Sequence, residues 1–241
     1  MPCWRRFRFE SGRLLCRKVQ KCILRRFCLM EHIVIDFENL DKCLFHGVGY
    51  YDIPQIEPVT EYPDGEFIPM NYANKEKSPA EKIIHCFVHD YQFSRYWNRP
   101  DNYIQRLSQF RAVCSPDFST YTDMPLAMQI YNHYRKHWIA AYWQRHGITV
   151  YPSISWSDER SFEWCFDGEP RGSVVVISSV GTQADKKSKR LFIRGYEEMM
   201  DRLKPLCVIC YGRVPKECGQ KIIGIPPYYD VIVNRRKGLV K

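Results

Sequence analysis

Between residues 83 and 181, short apolar runs of strand length alternate with longer stretches whose apolar residues recur every three or four positions. Four of the runs end at an acidic or small residue: IIHCFVHD at Asp90, AVCSPD at Asp117, ITVYPSISWSD at Asp158 and SVVVISSVG at Gly181. A fifth, LCVICYG, follows a helical stretch and ends at Gly212. Runs of Val, Ile and Cys with little polar alternation are how strands buried on both faces read. Strand followed by helix, repeated, predicts an α/β fold with a mainly parallel sheet. The sheet is expected either open with helices on both faces or as a partial or irregular barrel. Five units are too few for a regular eightfold barrel unless residues 30–80 and 222–233 complete it, with Tyr229–Val233 as the closing strand.

The best-marked helix covers 124–146. Asp123 is placed to cap it, Pro125 suits its first turn, and Leu126, Ile130, Tyr134, Trp138 and Tyr142 recur every four residues before Gly147 stops it. Its aromatic stripe reads as core, and its His133 and His137 as part of a solvated polar face. Further helices are expected at about 101–110 and 188–204, and a shorter one at 160–167. The 188–204 helix carries Leu191, Gly195, Met199 and Leu203 on one stripe. Residues 30–80 are dense in Pro, Gly and Tyr, with one strand at His32–Phe37 and turn chemistry at Pro63-Asp64-Gly65. They read as wrapping structure or an edge hairpin.

Composition changes this picture at one end only. The 241 residues carry a formal net charge of +9. Nine Lys and Arg against one Glu fall in residues 1–29, leaving 27 basic against 26 acidic residues in the rest. A basic extension at 1–29 is thus set against a nearly neutral α/β domain at 30–241. Three readings of the extension stand: a basic arm for nucleic acid or anionic lipid, a presequence, or upstream sequence read through a misplaced start, with Met30 the true beginning. Arg and Lys interrupt every apolar run in it, so it has no signal-peptide core. The neutral body has no global field to draw it to a phosphate backbone.

No apolar run approaches the length that spans a bilayer, so no membrane partner is expected. The seven cysteines after Met30 are scattered and several sit in strand-like runs, the usage of a reducing compartment, so the expected location is the cytoplasm. Cys207 and Cys210 have zinc-like spacing, but three positions along a strand point to opposite faces, so core packing is expected.

Candidate chemistry follows from topology. In parallel βα architectures the carboxyl ends of all strands share a rim, and ligands bind there. Asp117, Asp158 and Asp90 would meet at that rim beside Ser115, His89 and Trp156, with Trp156, Tyr91 and Phe118 as stacking walls. Two carboxylates in unlike environments serve as general acid and base at a glycosidic or N-glycosidic bond. Three instead hold Mg²⁺ or Mn²⁺ at a phosphate. Gly181 with Lys186, Lys187, Lys189 and Arg190 forms a candidate anion contact at a helix start. The expected partners are a nucleotide or nucleic acid. An enzyme of hydrolase or transferase type and a non-catalytic nucleic-acid- or protein-binding accessory both remain open.

The segment around Ser115-Pro116-Asp117-Phe118-Ser119, the helix after it, the Trp-containing strand and the Gly-bounded VVVISSVG together resemble, over residues 80–215, the bacterial and phage family known as domain of unknown function 4417. The resemblance implies a protein of phages, mobile elements and their hosts. It implies no particular activity.

Overall fold

A computed structural model of the chain describes residues 37–219 and 222–237. The chain divides into two units, Met1–Lys42 and Cys43–Lys241. Of the first, residues 37–42 are described and hold a 3-10 turn at Phe37–Asn39. The basic extension and the strand expected at His32–Phe37, its last residue aside, lie outside the described residues.

The second unit opens with a two-stranded antiparallel ribbon, β1 (Gly47–Val48) and β2 (Ile53–Pro54), in the Gly- and Pro-rich stretch expected as wrapping structure or an edge hairpin; it forms a sheet of its own. Seven parallel strands follow: β3 (Glu66–Pro69), β4 (Lys82–His85), β5 (Ala112–Cys114), β6 (Val150–Tyr151), β7 (Val174–Ser178), β8 (Cys207–Tyr211) and β9 (Ile222–Ile225). They pair in chain order as a four-stranded sheet, β3-β4-β5-β6, and a three-stranded one, β7-β8-β9. A single parallel bridge, Ser153 to Val176, stitches the two. There Ile154 N donates to Val176 O and Val176 N to Pro152 O, both at 2.8 Å. β3 and β9 do not pair with each other, so the barrel is open.

Helices lie between the strands: α1 (Arg95–Asn98), α2 (Asp101–Leu107), α3 (Leu126–Arg145), α4 (Lys186–Leu203) and, last, α5 (Tyr228–Arg236). None meets the length and hydropathy that a membrane crossing needs, among the described residues. The closing strand expected at Tyr229–Val233 is instead α5, and the strand is the preceding IIGI. Pro226 and Pro227 separate the two: proline is tolerated at a helix start but breaks a ladder.

Alternation along each strand sorts the core into three. Ile83, Ala112, Cys114, Tyr151, Val174, Val176, Cys207 and Ile209 form one cluster, with Phe67 and Ile225 from the edge strands against it. It draws on all seven strands and on no helix, so it is the inside of the curl. On the outside, Ile84, Val113 and Val150 pack with α3 through Trp138, Ile139 and Trp143. Val175, Ile177, Val208 and Cys210 pack with α4 through Phe192, Met199 and Leu203. Cys207 and Cys210 thus face opposite sides of β8, as packing residues. The seven cysteines of the second unit are free thiols, five of them buried.

Asp123 does not cap α3. The cap position is Pro125, with no side-chain hydrogen bond, while Gly147 takes φ +76° just beyond the helix, where a left-handed residue ends it. The ribbon is held on α3 by the turn at Gly168. Ile56 N donates to Gly168 O at 2.9 Å, and His137 Nδ1 lies 3.0 Å from Pro54 O. Gly168 has φ +75°, and a Cβ there would stand 2.6 Å from Pro54 O and 2.7 Å from His137 Nδ1. Gly168→Ala is therefore expected to cost about 2–4 kcal/mol, backbone strain and overpacking together. Urea unfolding reads it as a lower midpoint at unchanged slope.

Candidate functional site

The loop after β5 is clamped at both ends of the SPDFS run. Ser115 is fully buried, and its Oγ accepts a hydrogen bond from Ser153 N at 2.7 Å, tying the end of β5 to that of β6. Ser119 donates from N and Oγ to the Asp90 carboxylate at 3.0 and 2.8 Å, and its carbonyl accepts from Asn132 Nδ2 on α3 at 2.6 Å. Phe118 is buried between the Phe93 ring, 4.9 Å away, and the Arg135 guanidinium, 4.1 Å away. Pro116 is buried as well, so four of the five residues are fastened or packed, and Asp117 is the fifth.

It faces a cleft of about 640 Å³ at the carboxyl ends of β5, β6 and β7. Thr120, Thr122, Asp123, Ser155, Ser157, Ser178 and Thr182 line it with hydroxyl and carboxyl groups, and Tyr121, Trp156 and Phe192 with rings. Among the described residues, no Lys or Arg lines it. Burial pushes the Asp117 carboxyl up to about pKa 6; Asp90 nearby acts in the same direction, and Lys136 and a hydrogen bond from Ser155 act against it. A carboxyl poised near neutrality in a cleft is the kind of group that gives or takes a proton. Trp156 is held against α4 at Gly195, where a Cβ would come 2.2 Å from its indole nitrogen. The glycine of the α4 stripe thus makes the notch in which this ring sits.

The other expected residues disperse. Asp158 caps the 3-10 turn Glu159–Glu163 and pairs with Arg160 at 2.7 Å, and that hydrogen bonding holds its pKa low. It does not line the cleft. Asp90 fastens Ser119. His89 is exposed and stacks on the equally exposed Tyr91, at 6.1 Å between centroids. Gly181, in the left-handed region at φ +78°, lines the cleft. At the start of α4 the Asp185 carboxylate accepts from Lys187 N and Ser188 N, so the protein supplies its own anion there. Lys186, Lys189 and Arg190 line a separate hollow of about 290 Å³, where Lys189 pairs with Glu217 at 2.6 Å; Lys187 is exposed.

Behind the cleft lies a buried polar cluster that includes His133 and His137, the two residues expected on a solvated face. His133, Lys136 and His137 are 2%, 1% and 0% exposed, and their partner Glu169 is 5% exposed. Lys136 Nζ donates to Glu169 Oε1 at 2.6 Å and to Ser153 O at 2.9 Å, and His137 Nε2 lies 3.1 Å from the same Oε1. His133 Nε2 lies 3.0 Å from Asp167 O. Burial by itself would raise the Glu169 carboxyl, but Lys136 and His137 outweigh it and hold its pKa below the usual range. Burial pushes both histidines down, most of all His133. Helix periodicity marks which residues share a face, but a polar face is buried only if a partner from elsewhere in the chain meets it. Glu169, in the loop before β7, is that partner.

Residues 45–229 match the family described as domain of unknown function (DUF4417), a longer stretch than the resemblance in the sequence had covered. The Gene 1 protein of Mycobacterium phage L5 is 35% identical over 208 residues, which are 84% of this chain and 88% of that protein. The Gene 1 protein of Mycobacterium phage D29 is 34% identical over 213 residues, 84% of this chain and 75% of that protein. No solved structure matches the chain.

Two outcomes follow from these charges. Lys136→Met strands the Glu169 charge in the core and is expected to cost about 3–5 kcal/mol, while Lys136→Met with Glu169→Leu recovers much of the loss. A double-mutant cycle by chemical denaturation measures both. The Asp117 carboxyl holds its proton more tightly when folded, at about 6 against an ordinary 3.8. Its contribution to stability is therefore complete below about pH 4 and lost as pH rises through about 6. Subtracting the stability–pH curve of Asp117→Asn from that of the wild type should isolate this decline.

Proposed function

The chain belongs to the domain of unknown function (DUF4417) family, and from that premise we propose that its cleft binds a neutral, hydroxyl-rich ligand of sugar or nucleoside type, with Asp117 transferring a proton in a hydrolase- or transferase-type reaction. The observation that carries the reading is the Asp117 carboxyl, shifted toward neutrality in a cleft that its flanking serines hold it against. A lining of hydroxyls and rings, with no cation among the described residues, suits a ligand that is polar but not multiply anionic. Trp156 offers such a ligand its apolar face. Mg²⁺ or Mn²⁺ belongs to the same proposal as an added ion, with Asp117 and Asp123 as the carboxylates of the cleft. The Asp117–Asp158 acid–base pair is not part of it, because Asp158 is engaged with Arg160 outside the cleft.

A second reading, docking of nucleic acid without chemistry, is favoured by Lys186, Lys189, Arg190 and Arg194, which line the hollow beside α4. Glu217 and Glu197 pair with two of these cations, which weakens that case.

The experiment is a fluorescence titration with nucleosides, nucleotides and oligosaccharides, with and without Mg²⁺ or Mn²⁺, followed by product analysis of whatever binds. A ligand that quenches the wild type but not Trp156→Ala, and whose turnover falls about 10²–10⁴-fold in Asp117→Asn with binding retained, is the expected result. Turnover unaffected by Asp117→Asn rules out the proton-transfer role. Binding only to DNA, weakening steeply with salt, favours the second reading instead.

A further inference from the structure

The cluster behind the cleft has a hydrogen-bonding pattern that its own side chains do not complete. His133 Nε2 faces the Asp167 carbonyl at 3.0 Å and His137 Nδ1 faces the Pro54 carbonyl at 3.0 Å. A carbonyl oxygen only accepts, so both of these nitrogens carry hydrogen, and His133 Nδ1 and His137 Nε2 are the ring atoms left for another partner. His137 Nε2 lies 3.1 Å from Glu169 Oε1. The second carboxylate oxygen, Glu169 Oε2, is buried without a hydrogen-bond partner. One ligand atom from each of the three residues falls within 4.8 Å of the others.

We propose that His133, His137 and Glu169 form a binding site for a zinc-type divalent ion, with His133 Nδ1, His137 Nε2 and Glu169 as its ligands. Two neutral imidazoles and a carboxylate are a donor set such an ion accepts, and histidines four apart on a helix present it from one face. Each histidine gives its other N–H to a main-chain carbonyl, the outer support that fixes the tautomer of a metal ligand. Gly168 lets the 167–169 loop come this close to His137. Lys136 holds Glu169 by Oε1, which leaves Oε2 for the ion. Position 134 is Tyr, so the site lacks the general base of a helical HExxH zinc protease. Its ion would fasten the β1–β2 ribbon and the 167–169 loop to α3.

The test uses the full chain, stripped with a chelator and dialysed against zinc or cobalt(II). The expected result is about one ion retained per chain, a cobalt d–d spectrum of tetrahedral nitrogen and oxygen ligation, and affinity reduced at least about 100-fold in His133→Asn and in Glu169→Gln. Failure of wild-type protein to retain either ion overturns the site. A thiolate-to-cobalt charge-transfer band, or retention unchanged in the variants, also overturns it by putting the ion elsewhere. The wild-type spectrum decides even if a variant fails to fold.

Discussion

Parallel pairing of strands in chain order is the constraint from which the rest of this structure follows. A strand that joins its predecessor in parallel needs a crossover, and crossovers share one hand, so adding strands always on the same side puts every helix on one face. The other face has no helix to cover it and is buried only if the sheet curls until its own side chains meet. That is the arrangement of the innermost cluster, which draws on β3 to β9 and on no helix. The curl stops short of closure, and α3 and α4 cover its outside.

The same geometry gathers loops at one rim, but it does not decide which of them faces a ligand. That decision is made by local hydrogen bonds. Asp90, Asp117 and Asp158 all follow strands, and two of them are engaged by the nearest donors, Asp90 by Ser119 and Asp158 by Arg160. Asp117 takes a hydrogen bond from Ser155, a residue of the cleft, and is flanked by residues that are themselves tied down, so its carboxyl lies at the cleft, where burial holds the proton on it. Position at a strand end is a weak distinction among the three carboxylates, and the engagement of neighbours is the strong one.

The five central strands, α3, α4 and the character of the 83–212 stretch were legible because buried strands and amphipathic helices write their period into the chain. The edge strands were not. β3 is four residues with a proline at its end, and β9 holds a glycine, so neither resembles the apolar runs of the centre. α5 was misread because Tyr228-Tyr229-Asp230-Val231-Ile232-Val233 has strand-forming side chains, and the Pro-Pro pair before it decides otherwise. His133 and His137 read as solvated for want of Glu169, which meets their helix at Lys136 and His137 from over thirty residues away. Periodicity carries local structure, whereas a buried ion pair is a fact about the fold.

The seam between the two sheets bears on how the chain is made. Among the described residues, β3 to β6 pair as strands only with one another, and one bridge joins their sheet to that of β7 to β9. A polypeptide emerging from the ribosome can therefore complete the first sheet's ladder before the second exists, each strand adding to one already synthesised, which keeps the pairing local and unpaired edges short-lived. What waits for the late arrivals is the rim: the cleft needs Ser178 and Thr182 from the second half as well as Asp117 from the first. The chain thus assembles its scaffold in order of synthesis and its cleft last.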